Sequence, residues 1–279
     1  MVRLIEDQPD AFTYRAFGRR IFFTGLLVAA TYVAAGTIVL QKSEAIMRQT
    51  GMDSEGIVGQ ITGAMVFVMI VFAPLAVSMF LLIRLIRRAF GQLEVERGLP
   101  LTMLTLSRLA FMAAITIAFA PLGLAIDAPV TAINFYQERF MTWFFTLVGI
   151  GLALVLLAPV RQLQLRTGRL LWVPALAGAF AAGYLVWMAH SPAWDISVFQ
   201  LSQENLDAVK EFRTSFTFTM LTCAAAIMIW SWTISRNASS ILVRQKAHFF
   251  THLGRCATCP GARSIARAPS PTSRATRTR

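Results

Sequence analysis

The chain has 279 residues, of which 56% are apolar and only 14% charged, and its mean hydropathy is +0.59. That balance points to a membrane protein and argues against an ordinary soluble globule, a disordered chain or a coiled coil. Basic residues outnumber acidic ones 26 to 14, a net charge of +12. They sit in short runs beside long apolar segments, so the positive-inside bias of bilayer proteins accounts for them without a specific nucleic-acid partner.

Six segments are long and apolar enough to cross a hydrocarbon core of roughly 30 Å, which takes about 20 helical residues at about 1.5 Å each. A barrel strand would alternate apolar and polar residues over about ten positions, and none of the six does. The fold class expected is therefore all-α: a polytopic integral membrane bundle of six transmembrane helices.

Residues 1–20 form an N-terminal tail, and residues 21–40 form helix one. Arg19-Arg20-Ile21-Phe22 fits the dipeptide of a twin-arginine export signal. A signal's apolar region is about 7 to 15 residues, whereas this run has 20 uncharged positions, so it is expected to stay as an anchor. Asp53 and Glu55 in the first outer loop read as solvated surface rather than as a catalytic pair.

Helix two spans residues 61–83, and helix three spans about 110–126 with an extension back to Leu101. Pro74 and Pro121 are expected inside them, in the similar settings Phe72-Ala73-Pro74-Leu75 and Phe119-Ala120-Pro121-Leu122. Each proline removes a backbone donor and frees a carbonyl, which suits a hinge or a pore-lining ligand. The mixed-charge connection over residues 84–100 reads as a cytoplasmic hairpin, with Glu94 and Arg97 spaced to pair at i, i+3.

Helices four and five cover residues 142–160 and 170–189. Small residues recur every four positions in helix five, as Ala175, Ala179 and Gly183 and as Gly178 and Ala182; helix four adds Gly149 and Ala153, and helix one Gly25 and Ala29, then Ala30 and Ala34. Such rows let helix backbones approach closely in lipid. They are expected to pack the bundle itself, or else to form an interface with a membrane-protein partner or a second copy. Residues 191–214 are the longest outer piece; Ser202 is placed to cap a short surface helix through Leu206, Val209 and Phe212.

Helix six, residues 215–234, carries Thr217, Thr219, Thr222, Ser231 and Thr233. Thr217 and Thr222 join the prolines as pore candidates, although such hydroxyls commonly bond back to their own helix. A juxtamembrane segment, residues 235–254, precedes a basic tail over residues 255–279, which has no acid and too little apolar area to build a core. The tail is suited to anionic lipid headgroups. At its junction His248, His252, Cys256 and Cys259 read H-x3-H-x3-C-x2-C, a set of imidazoles and thiolates able to hold a tetrahedral zinc. No cofactor is expected, and zinc at this junction is the alternative.

Orientation follows from Lys and Arg. Leaving out everything after helix six, one side carries Arg3, Arg15, Arg19 and Arg20, Arg84, Arg87, Arg88, Arg97 and Arg108, and Arg161, Arg166 and Arg169; the other carries Lys42, Arg48, Arg139, Lys210 and Arg213. The richer side is cytoplasmic, which places both termini there. Aromatic residues agree, since Trp and Tyr prefer the headgroup level. Tyr136, Trp143, Trp187 and Trp194 fall near the outer boundary, and Tyr14, Trp172, Trp230 and Trp232 near the inner one. Tyr32 and Tyr184 lie deeper, where a bundle-facing hydrogen bond is expected.

No apolar core contains an ionisable residue; Arg108, Asp127 and His190 mark membrane boundaries, with Arg108 about 10 Å into helix three when measured from Leu101. This argues against an ion-coupled transporter. The chain has no H-E-x-x-H, no G-x-S-x-G, no phosphate-cradling G-x-x-x-x-G-K-[ST] and no G-x-G-x-x-G. The expectation is a non-catalytic accessory, assembly or regulatory subunit in a bacterial inner membrane, with a small-solute permease or channel as the alternative and an intramembrane lipid enzyme behind both.

Overall fold

The computed structural model describes residues 11–50, 57–91, 98–120, 134, 138–168, 170–196 and 206–257. Six long helices dominate them: α1 (Ala11–Thr50), α2 (Ile57–Gly91), α3 (Leu99–Phe119), α4 (Phe140–Thr167), α5 (Trp172–Ala189) and α6 (Leu206–Ala257). A single 3-10 turn, Pro192–Trp194, follows α5. All six helices are long and apolar enough to cross a membrane.

The helices outrun the apolar segments that predict them. α1 has 40 residues and α6 has 52, so at 1.5 Å per residue they are about 60 and 78 Å long. Hydropathy marks only what hydrocarbon covers; Arg15, Arg19, Lys42 and Arg48 continue α1 into water without breaking it. The short surface helix expected through Leu206, Val209 and Phe212 is not a separate element. It is the first two turns of α6, with Val209 and Phe212 buried and Leu206 exposed. The juxtamembrane segment is likewise helical, as α6 continues to Ala257.

Local chemistry sets several ends. α3 starts after Gly98, whose carbonyl accepts from the Leu101 and Thr102 amides, with Pro100 in the first turn where no donor is needed. It ends at Phe119, which shifts helix three toward the N-terminal extension. Pro121, expected inside this helix, lies outside the described residues. The interior prolines among the described helices are Pro74 in α2 and Pro159 in α4. α4 stops at Gly168, whose φ of 62° is left-handed and whose amide bonds the Gln164 carbonyl at 2.9 Å.

Each helix packs on its neighbours in sequence, and α6 returns to α1, so the bundle is a ring closed by its most extensive contact. That α1–α6 seam is antiparallel and keeps one register throughout. Gly18 faces Ala238, Gly25 faces Ser231 and Gly36 faces Met220. Beyond them Arg213 Nη1 donates to Glu44 Oε1 at 2.8 Å. From Gly18 to Glu44 the seam is about 39 Å long.

The small-residue rows divide. Gly25 and Ala29 are buried, whereas Ala30 and Ala34 are exposed. Gly149 meets Val186 and the Ala182 carbonyl, and Gly178 meets Leu156. Ala179 and Gly183 face outward, with nothing near Gly183 for an added Cβ to touch.

Candidate functional site

The centre of the ring is filled by aromatic side chains. Phe72 of α2 lies 5.2 Å from Phe144 and 5.3 Å from Phe145 of α4, and 6.2 Å from Phe216 of α6, measured between ring centroids. The 3-10 turn folds Trp194 into this group, 4.8 Å from Phe145 and 5.5 Å from Phe216. Tilted and edge-to-face pairs at these distances suit the ring quadrupoles. Trp194 is completely buried, and its Nε1 donates to Ser215 Oγ at 2.8 Å. Trp194 is thus packed inside the bundle, in a tight turn that starts at Pro192, with its polar tip met by Ser215.

Trp230 is likewise buried, with Nε1 donating to the Leu156 carbonyl at 2.9 Å. Trp143, Trp172 and Trp187 are exposed at helix ends, and Trp232 is exposed midway along α6. Tyr32 is buried, and its hydroxyl reaches Met79 Sδ at 3.8 Å, a weak bond across α1 and α2. Tyr184 instead stacks on Phe180, ring centroids 5.6 Å apart, on the partly exposed side of α5.

Beside the aromatic plug, where α4 begins and α5 ends, a half-open cup of about 570 Å³ is lined by Glu138, Arg139, Thr142, Trp143, Thr146, Ala189, His190, Ser191, Pro192 and Asp195. Thr142 ties its two helices together, donating from Oγ1 to the Ala189 carbonyl at 3.1 Å. His190 Nδ1 lies 2.8 Å from the Val186 carbonyl. A carbonyl only accepts, so the ring proton belongs on Nδ1 and Nε2 is left as an acceptor. Ser191 Oγ is buried and has no partner among the described residues. Carboxylates, a guanidinium, an imidazole and hydroxyls around one space can hold a small polar solute by hydrogen bonds.

The hinge and pore candidates do not converge. Pro74 is exposed on α2. Thr217 Oγ1 donates to the Gly36 carbonyl of α1 at 3.0 Å, pinning the seam, while Thr222 bonds back to Phe218 of its own helix at 2.8 Å. Thr219 and Thr233 also bond within α6. Of the boundary residues, His190 lines the cup and Asp127 lies outside the described residues. Arg108 sits deeper than expected. Because α3 begins at Leu99, it is nine residues, about 14 Å, into a helix of about 32 Å.

His248, His252 and Cys256 fall on the backbone of α6, at spacings of four that place them on one stripe of that helix, and Cys259 lies outside the described residues. Among the residues whose side chains are described, no three metal-binding groups come together.

The chain matches no family model, no curated protein and no solved structure.

Sequence reasoning missed the Glu44–Arg213 pair, the Trp194 plug and the acidic and basic rim of the cup. Glu44 and Arg213 each lie just past an apolar core. A helix hairpin register would have aligned them, had α1 and α6 been known to be partners. Glu138, Arg139 and Asp195 carry no motif; only the packing of the end of α5 against the start of α4 brings them to one space.

Proposed function

We propose that this chain is a non-catalytic accessory, assembly or regulatory subunit of a membrane system, held in a bacterial inner membrane with both termini on the cytoplasmic side. The single observation behind this reading is the filled interior. Phe72, Phe144, Phe145, Trp194 and Phe216 occupy the axis where a solute path would run, in mutual contact and buried. Moving a polar solute through them would require repacking a close-packed core. The excess of Lys and Arg on the side of residues 84–108 and 161–169 supports the orientation. The outward side of α5, where Ala179 and Gly183 lie among Leu176, Phe180 and Trp187, offers the kind of small-and-large surface that a partner helix or a second copy fits. The basic cytoplasmic side adds contact with anionic headgroups.

Affinity purification in mild detergent, with mass spectrometry of co-purifying proteins, lipids and metals, tests the proposal. A membrane protein in fixed stoichiometry is expected, weakened when Gly183 is changed to Leu. A protein that purifies alone and supports concentration-driven solute flux in liposomes would replace this reading with that of a permease, which Pro74 inside α2 favours. In that case Pro74→Ala or Thr222→Val should abolish the flux. The same measurement tests the alternative of zinc at His248, His252, Cys256 and Cys259: no bound metal is expected, and one equivalent that disappears when both cysteines become serine would establish the site instead.

A further inference from the structure

We propose that the crevice between α2 and α3 binds one acidic membrane lipid, its anionic headgroup held by Arg108 and its acyl chain lying along the apolar recess between the two helices. Three observations lead there. First, Arg108 stands near the middle of α3, half-buried, with its Nε shielded from solvent and no hydrogen-bond partner among the described residues. An arginine within a helix apolar enough to cross a membrane is costly unless its charge is met. Its planar guanidinium suits the two oxygens of a phosphate or carboxylate.

Second, Arg108 shares a stripe of α3 with Ile115 and Phe119, at spacings of seven and four. Ile115 and Phe119 line a shallow apolar recess with Val68, Phe72 and Ala76 of α2 and Phe144 of α4. A helical side chain slants toward the N-terminus of its own helix. The Arg108 head group is thus directed toward the Leu99 end, and the recess extends the opposite way, by about 10 Å to Ile115. One end of the crevice is cationic and the other greasy, in line, which is the layout of a lipid.

Third, α2 and α3 pack more sparsely than any other neighbouring pair in the ring, and α3 is the least buried of the six spans. The crevice therefore opens sideways to the bilayer, between exposed Val77 and Phe80 on α2 and Leu109 and Met112 on α3. Arg87 is exposed at heptad spacing from Ala73 and Phe80 and adds a second cation on the α2 side, nearer the helix end. With the N-terminus cytoplasmic, this orientation matches a lipid of the inner leaflet, head down and chain up.

The test is native mass spectrometry of the full chain released from nanodiscs containing equal amounts of phosphatidylglycerol and phosphatidylcholine. One phosphatidylglycerol should survive the activation that strips phosphatidylcholine. Arg108→Gln should lower its retention roughly tenfold, Arg108→Lys less, and Arg161→Gln, an exposed arginine on α4 away from the crevice, not at all. Ala76→Phe, which leaves Arg108 in place and fills the recess, should also expel the lipid, so the proposal does not depend on the folding of one variant. Inorganic phosphate at millimolar concentration should not displace it. Equal retention of the two lipids, full retention in Arg108→Gln, displacement by inorganic phosphate, or a second protein chain found in the crevice would each overturn the proposal. Arg108→Gln, Arg108→Lys and Arg161→Gln leave the filled interior that supports the accessory role untouched, so through them the two ideas fail separately; Ala76→Phe borders Phe72 and Phe144 and tests the recess alone.

Discussion

Gly25 and Gly183 both occupy small-residue rows of apolar helices, yet the same substitution should move them in opposite directions. An added Cβ at Gly25 would overlap the Cβ of Ser231 and lie 2.8 Å from its Oγ, while at Gly183 it would meet nothing. Carbon atoms pack best at about 3.5 to 4.0 Å, so α1 and α6 would have to part by the better part of an ångström. Ser231 Cβ is fixed to backbone and cannot swing aside. Overpacking of this kind costs about 1 to 3 kcal/mol, against a gain of roughly 0.5 to 1 kcal/mol for replacing a helical glycine by alanine. Gly183→Ala collects the gain alone. The gain is common to both, so the two variants should differ by the overpacking cost, about 1 to 3 kcal/mol, a factor of about 5 to 150 in the folded-to-unfolded ratio. Reversible unfolding in mixed micelles by increasing dodecyl sulfate, followed by the fluorescence of buried Trp194 and Trp230, reads this directly. Ser231→Gly in the Gly25→Ala background should recover part of the loss, and the double-mutant cycle isolates it. Equal stability of Gly25→Ala and Gly183→Ala, or no coupling in the cycle, would refute the α1–α6 register.

Other expectations are as direct. Trp194→Ala removes a fully buried indole and leaves Ser215 without its donor, so it should cost about 3 to 5 kcal/mol, whereas Trp187→Ala, at an exposed helix end, should shift the same unfolding curve little. Glu44→Gln and Arg213→Gln should show only a small coupling in a double-mutant cycle, since the Glu44 side chain is half exposed, and added salt should shrink it. In a variant with Cys256 and Cys259 changed to serine, buried Cys223 should resist a membrane-impermeant maleimide. A cysteine placed at exposed Asp195 should then react from outside intact cells and one at exposed Ser239 only after lysis; the reverse pattern would invert the orientation.

Six helices were legible because a hydrocarbon core demands long apolar runs, and the runs are unmistakable around residues such as Leu82, Leu152 and Ile227. Their ends were not. Hydropathy stops at Leu40, but α1 continues through Lys42 to Thr50, and the amphipathic start of α6 around Phe212 reads as a surface helix until its apolar face is seen against Trp194. Burial is a property of the assembled ring, so Trp194 and Trp143 look alike in sequence while one is core and the other boundary. Gly25 and Gly183 look alike for the same reason. The depth of Arg108 depended on where α3 begins, which the Gly98–Pro100 start fixes and the hydropathy does not. Candidate residues chosen by chemical type, such as Thr217 and Thr222, separate once their hydroxyl acceptors are known.

The closing contact of the ring joins the first helix to the last, and this bears on biogenesis. A ribosome adds about 5 to 20 residues per second, and 155 residues separate the end of α1 at Thr50 from the start of α6 at Leu206. For roughly 10 to 30 s the nascent chain therefore holds α1 with Gly18, Gly25 and Gly36 away from their eventual partner. A chain stalled before α6 would leave that glycine seam uncovered, so the most extensive contact of the bundle is also the last that synthesis allows to form.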